Sequence, residues 1–194
     1  RIRSLGTEHE RILHQSSSGR PFAFADNLHG EPCACPRIEA NLAATMPQIV
    51  TAIDIDAPPS TVFTVLSETH RYGAWNPFTK RVYGNFKKGS HIAFVALVAG
   101  KKVPIDARVT EVTPNKRIAW RGPYLRLLDG LAHGEHTFEL EDLGDGKTRL
   151  FHTERFGGLL PNVETIWTQI EGALAPTYET FNLALKRESE RRAH

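Results

Sequence analysis

Hydrophobic and polar positions along the chain fall into three regimes. Residues 1–45 show no sustained period of 2 or 3.6, and "HQSSSGRP" and "HGEPCACP" are rich in chain breakers. From Ile49 the pattern is mostly strand-like. In "QIVTAIDID", Ile49, Ile53 and Ile55 share one side. "APPSTVFTVLSET" reads as a helix: two prolines suit its first turn, and Val62, Phe63 and Leu66 form an apolar stripe. "HRYGAWNPF" is a short helix or turn stopped by Pro77. Strand-like runs then cover 78–85, 89–98, 102–113, 116–122, 133–142 and 147–156, with "AGK", "TPNK" and "GDGK" as hairpin turns. In 102–113, apolar Val103, Ile105, Ala107 and Val109 alternate with Lys102, Asp106, Arg108 and Thr110, as in an antiparallel strand with one wet face. The last segment returns to helical spacing. Val163, Ile166, Ile170, Leu174, Phe181 and Leu185 recur over about 30 residues, on the order of 45 Å of helix. Pro176 is expected to kink it, because it removes one hydrogen bond and crowds the preceding turn.

This division predicts an N-terminal extension over 1–45 and a domain over 46–194. The only methionine, Met46, stands at the boundary. The extension buries too little apolar area to offset its ordering entropy, so it is expected to be disordered or loosely packed. An arm held on the domain by Phe22 and Phe24 is the alternative.

Net charge is +2, too small to point to nucleic acid or an acidic membrane surface. The closing "KRESERR" alternates acids and bases, as a solvated helix face does. No apolar run approaches the roughly 20 residues of a membrane-spanning helix, and no secretory pattern is visible, so a cytoplasmic location is expected. Cys33 and Cys35 with His29 fall short of the roughly four ligands of a closed zinc site. His133 and His136 in "HGEH" point to opposite faces of a strand and cannot chelate one ion. There is no phosphate-binding loop, dinucleotide fingerprint or nucleophile elbow. Neither a metal nor a cofactor is expected.

Chemistry enters at "HTFELEDLGDGKTRLFHTERFGG". In the first strand His136, Phe138 and Leu140 lie on one side, with Glu135, Thr137, Glu139 and Glu141 on the other. The acidic side must be solvent, so His136 faces inward. A two-residue Asp145-Gly146 turn would pair residues whose numbers sum to 291; a three-residue loop over 144–146 would pair those summing to 290. The 290 register sets Glu141 opposite Arg149 and Glu135 opposite Arg155 outside, and Leu140 opposite Leu150 and Phe138 opposite His152 inside. Each such pair contributes about 0.2–1 kcal/mol, which favours 290. Gly146 is expected to supply the positive φ of the loop. On this register His136 sits opposite Glu154, with His152 diagonal to both. A buried carboxylate in a dry core is very costly, so three ionisable groups on one inner face point to a cavity. A structural His–Glu pair is the competing reading.

Taken in order, "IDIDAPPSTVFTVLSETHRYGAWNPF", "GKKVPIDARVTEVTPNKRIAWRG", "GEHTFELEDLGDGKTRLFHTERFGG" and "FNLALKRESE" resemble the START-like, or SRPBCC, superfamily, in particular its polyketide cyclase/dehydrase and lipid transport members. The resemblance covers about residues 48–190. It implies an α+β helix-grip fold: a seven-stranded antiparallel sheet wrapped around the long C-terminal helix, enclosing a deep, mainly apolar cavity. It also implies binding of a hydrophobic small molecule such as a lipid, polyketide or aromatic. Trp75, Asn76 and Phe78 match the segment near the usual cavity mouth. Trp120, Phe138, Leu150 and Phe156 are expected to line the sheet side, and Ile166, Ile170 and Leu174 the helix side. Gln169 or Tyr178 would offer a polar tip.

Two functions follow. The first is a binding module, in which His136 and Glu154 hold a ligand hydroxyl or carbonyl. The second is a cofactor-independent cyclase or dehydratase using His136, Glu154 and His152 as acid–base groups. A weaker third, an interaction domain that assists chaperones, would need a broad exposed apolar patch that alternating strands do not offer. The oligomeric state is left open.

Overall fold

A computed structural model describes residues 46–122 and 130–194. Expectations for residues 1–45, including those on Cys33, Cys35 and His29, lie outside the described residues.

Among the described residues, seven strands form one antiparallel sheet in the order β1-β7-β6-β5-β4-β3-β2. They are β1 (Gln48–Ile55), β2 (Val82–Tyr83), β3 (His91–Val98), β4 (Lys101–Thr113), β5 (Arg117–Gly122), β6 (His133–Gly144) and β7 (Lys147–Gly157). Helices α1 (Pro59–Ser67) and α2 (Tyr72–Trp75) lie between β1 and β2, and α3 (Glu164–Ala193) closes the chain. This is the helix-grip arrangement. The run expected over 78–85 reduces to the two residues of β2, because the Asn76 side chain instead accepts the backbone N–H groups of Phe78 and Thr79 at 2.9 and 3.0 Å and turns the chain.

Local chemistry sets the boundaries. Pro58 caps α1 in extended conformation and Pro59 opens it, where its missing N–H costs nothing. Asn76 precedes Pro77 and is extended, which ends α2. A bulge between Val109 and Glu111 switches the parity of β4, so Val109 and then Val112 both meet the core. Val163, expected on the apolar stripe of the last helix, is instead its exposed N-cap; a 3-10 turn over Leu160–Asn162 precedes it. The helix runs on through Pro176 for 30 residues.

The β6–β7 hairpin has the expected pairing, with His136 opposite Glu154 and Glu141 opposite Arg149. The device that sets it differs from the expected loop. The turn is a two-residue one, with Asp145 at φ 50° and Gly146 at φ 71°, the positive pair that a type I′ turn needs. A bulge between Asp142 and Gly144 then shifts the pairing by one residue. Gly144 sits at φ 79°, and its N–H bonds to the Asp142 carboxylate at 2.9 Å. Turn and bulge together restore the register that the core pattern demands.

The core is densest where α1 and the second half of α3 meet the sheet. Val62, Leu66, Leu140, Leu150 and Leu185 are buried there in one cluster. Lys186 donates to the Asp54 carbonyl at 2.8 Å, Glu190 accepts the Asp56 N–H at 2.9 Å, and Arg192 pairs with Glu68 at 2.6 Å. These contacts pin the C-terminal half of α3 to β1 and α1. No residue of its first turns, from Glu164 to Leu174, is fully buried.

Candidate ligand cavity and its buried hydrogen-bond chain

Between the inner face of the sheet and the first half of α3 lies a cavity of about 500 Å³. That size suits a drug-sized or polycyclic molecule. Its wall is mainly apolar and aromatic. Phe78, Phe86, Phe94, Trp120, Phe138 and Phe156 come from the strands and the segment after α2. Ile166, Gln169, Ile170, Leu174 and Tyr178 come from α3. Among the described residues no Lys or Arg lines it.

Aromatic packing organises one side. Trp120 on β5 stands opposite His136 on β6, and their rings stack 4.2 Å apart at 14°. Phe86 stacks on the other face of Trp120 at 5.3 Å. Phe138 and Phe181 stack at 5.3 Å behind them. The Tyr178 ring meets His136 edge-on and tilts over His152.

The polar groups form a chain leading inward from the cavity wall. Glu154 Oε2 lies 3.2 Å from His136 Nδ1. His136 Nε2 lies 2.8 Å from His152 Nε2, and His152 Nδ1 lies 2.8 Å from Asn182 Oδ1 on α3. Asn182 Nδ2 donates to Thr51 Oγ1 at 2.9 Å, and Thr51 donates to the His152 carbonyl at 3.3 Å. Side-chain exposure is 13% for His136 and 17% for Glu154, and His152 is 1% exposed. Burial penalises charge on all three. It pushes the Glu154 carboxyl up to about 8 and His136 down to about 3, and it holds His152 well below the ordinary imidazole range. Burial thus favours the uncharged form of each of the three groups.

The fifteen side chains singled out in the sequence divide by place. Asn76, Phe78, Trp120, His136, Phe138, His152, Glu154, Phe156, Ile166, Gln169, Ile170, Leu174 and Tyr178 line the cavity. Trp75 and Leu150 do not. Trp75 packs edge-on against Tyr72 and Phe181 on the core side of α2. Leu150 faces inward as its parity requires, but at the end of β7 that α1 and Leu185 fill. Asn76 turns its side-chain oxygen to the backbone rather than to the cavity. Thr51 and Asn182 were not singled out, yet both carried a signal. Thr51 shares the inward parity of Ile49 and Ile53, and Asn182 follows Tyr178 by four residues on the stripe that ends at Leu185.

Residues 46–190 match the family model described as polyketide cyclase / dehydrase and lipid transport. No curated protein matches the chain. Several solved structures share its fold. The Zhui aromatase/cyclase of a Streptomyces species is 19% identical with a TM-score of 0.65, over 77% of this chain and 96% of that one. A protein from Thermus thermophilus is 16% identical with a TM-score of 0.61, over 76% and 100%. A START superfamily protein from Mycobacterium smegmatis is 18% identical with a TM-score of 0.58, over 75% and 98%.

Proposed function

From a chain that belongs to the polyketide cyclase / dehydrase and lipid transport family, we propose a protein that binds one mainly apolar small molecule inside the sheet–helix cavity. The observation that carries this reading is the cavity of about 500 Å³ with aromatic walls and a largely buried ionisable pair, His136 and Glu154, on its wall. An apolar wall supplies affinity through area removed from water, and a few placed polar groups fix orientation. The many aromatic side chains on the wall, among them Phe78, Phe94, Phe138 and Phe156, favour an unsaturated guest. Native mass spectrometry of protein purified from its own host tests this. A co-purifying molecule of roughly 200–400 Da is expected, in keeping with the pocket size; protein that is always empty, with no uptake of any aromatic probe, overturns it.

One observation favours a second reading, an acid–base enzyme. The carboxyl of Glu154 is pushed up and the adjacent imidazole down, the separation that gives an acid and a base distinct roles at one pH. On this reading Glu154→Gln retains the co-purifying molecule but converts it about 10²–10⁴ times more slowly, by mass spectrometry of products. A carrier shows no conversion in either protein.

A further inference from the structure

With the Asn182 amide oriented as the structure has it, the buried chain behind the cavity wall reads in one direction. Its inner end is a backbone carbonyl, which accepts and never donates. The single proton of Thr51 Oγ1 is committed to that carbonyl at 3.3 Å. Thr51 must therefore accept from Asn182 Nδ2 at 2.9 Å. This turns Asn182 Oδ1 toward His152, whose Nδ1 at 2.8 Å must carry a proton. His152 is fully enclosed and neutral, so its Nε2 is bare and takes the proton of His136 Nε2 at 2.8 Å. His136 is then left with a bare Nδ1. Only an oxygen bearing a proton can bond to it, and the atom present is Glu154 Oε2 at 3.2 Å.

We infer that Thr51 and Asn182, which do not touch the cavity, are positioning residues that fix Glu154 as a carboxylic acid turned toward His136, so that the cavity takes a neutral ligand whose hydroxyl donates to Glu154 Oε1. The ligand half of this rests on the binding reading above; the proton half rests on the hydrogen bonds and on the burial that keeps His152 neutral. With Oε2–H committed to His136, Oε1 is a carbonyl-type acceptor. It has room because Gly134 has no side chain: a Cβ there would stand 2.6 Å from Oε1. An anionic ligand group would face this acceptor with no Lys or Arg among the described lining residues to compensate it. The opposite arrangement, a Glu154 carboxylate with a proton moved to His136 or His152, separates charge between side chains that are only 17% and 13% exposed at Glu154 and His136. The other side chains in ring contact with His136 are Trp120 from β5, Phe138 from β6 and Tyr178 from α3. None supplies a charge to hold that arrangement.

Nitrogen-15 NMR of histidine-labelled protein at pH 7 reads the two tautomers directly. The expected spectrum has His152 protonated on Nδ1 and His136 on Nε2, and Glu154→Gln preserves it because the amide donates where the acid did. Asn182→Asp draws the His136 Nε2 proton onto His152 and the Glu154 proton onto His136 Nδ1, so His136 moves to the Nδ1–H form although no cavity-lining residue is substituted. Wild-type protein with His136 protonated on Nδ1 overturns the inference, and this measurement stands even if Asn182→Asp fails to fold. For the ligand half, 2-naphthol, 2-methoxynaphthalene and 2-naphthoate are titrated by fluorescence. The naphthol is expected to bind about five- to tenfold more tightly than its methyl ether, and the naphthoate more weakly than both. Equal binding of naphthol and ether, with the expected tautomers, overturns the ligand half. Failure of all three to bind overturns the binding reading and with it the ligand half, while the spectrum separately decides the proton half.

Discussion

At position 134 the inner face of β6 carries no side chain, and the Glu154 carboxyl occupies the space. An added Cβ would meet Oε1 at 2.6 Å, with the carboxyl carbon at 3.5 Å. Gly134→Ala should therefore push the carboxyl off His136 and cost about 1–3 kcal/mol, the usual result of stranding a buried polar group. In a Glu154→Ala background the same substitution has nothing to displace and should cost close to nothing. Chemical denaturation of the four proteins of that double-mutant cycle checks the coupling. The His136–Glu154 pair was legible in the sequence because strand parity and one hairpin register place both side chains without tertiary information. Gly134 was not, because a missing side chain has no parity signal. Asn182 was not, because a polar residue on an apolar helical stripe reads as a boundary until the strand facing it is known. Leu150 shows the limit of parity: it gave the correct face of β7, while the position along the strand decided between cavity wall and packed core.

Helix α3 divides by what each half touches. Its second half is packed and pinned through Leu185, Lys186, Glu190 and Arg192, while its first half borders the cavity. Leu185→Ala should cost about 2–5 kcal/mol, since the fully buried leucine leaves a hole among tightly packed neighbours. Ile170→Ala should cost well under half as much, because Ile170 already faces open space. Urea midpoints at constant slope measure both. The helix was readable from its 3.6 period, but its start was not: Val163 has the right spacing, and only the turn before it, begun by Leu160 and Pro161, makes it a cap. The β6–β7 turn gave a similar lesson. The register followed from side-chain pairing, yet a two-residue turn plus a bulge produced it where a single loop was expected. Two backbone devices gave the same pairing, so pairing could not choose between them.

For the whole molecule, the buried ionisable groups predict a stability optimum. The folded-state value of Glu154, about 8, lies above its ordinary 4.5. Its contribution is therefore complete below about 4.5 and lost as pH rises through about 8. His136, at about 3, and His152 lie below the ordinary 6.5, so their contributions are present above 6.5 and lost as pH falls. Asp54, Glu68 and Glu188, held down by arginine partners, steepen the acid limb further. Stability should peak near pH 6–7 and fall on the alkaline side by about 1.4 kcal/mol per pH unit until Glu154 has ionised. Glu154→Gln should remove that alkaline limb and leave the acid limb in place, as read from thermal unfolding between pH 5 and 9. The overall architecture was the most legible level, because seven half-wet strands and one long amphipathic helix leave few ways to bury their faces. The same architecture leaves two strand edges, and each is blunted. One edge strand, β2, is only two residues long. The other, β1, has the backbone at its end occupied by Lys186 and Glu190 of α3. A hollow protein exposes more of its sheet to chance encounters whenever it is empty. A short edge strand on one side and an engaged strand end on the other leave a strand from another molecule less border to pair with, whether the cavity is filled or empty.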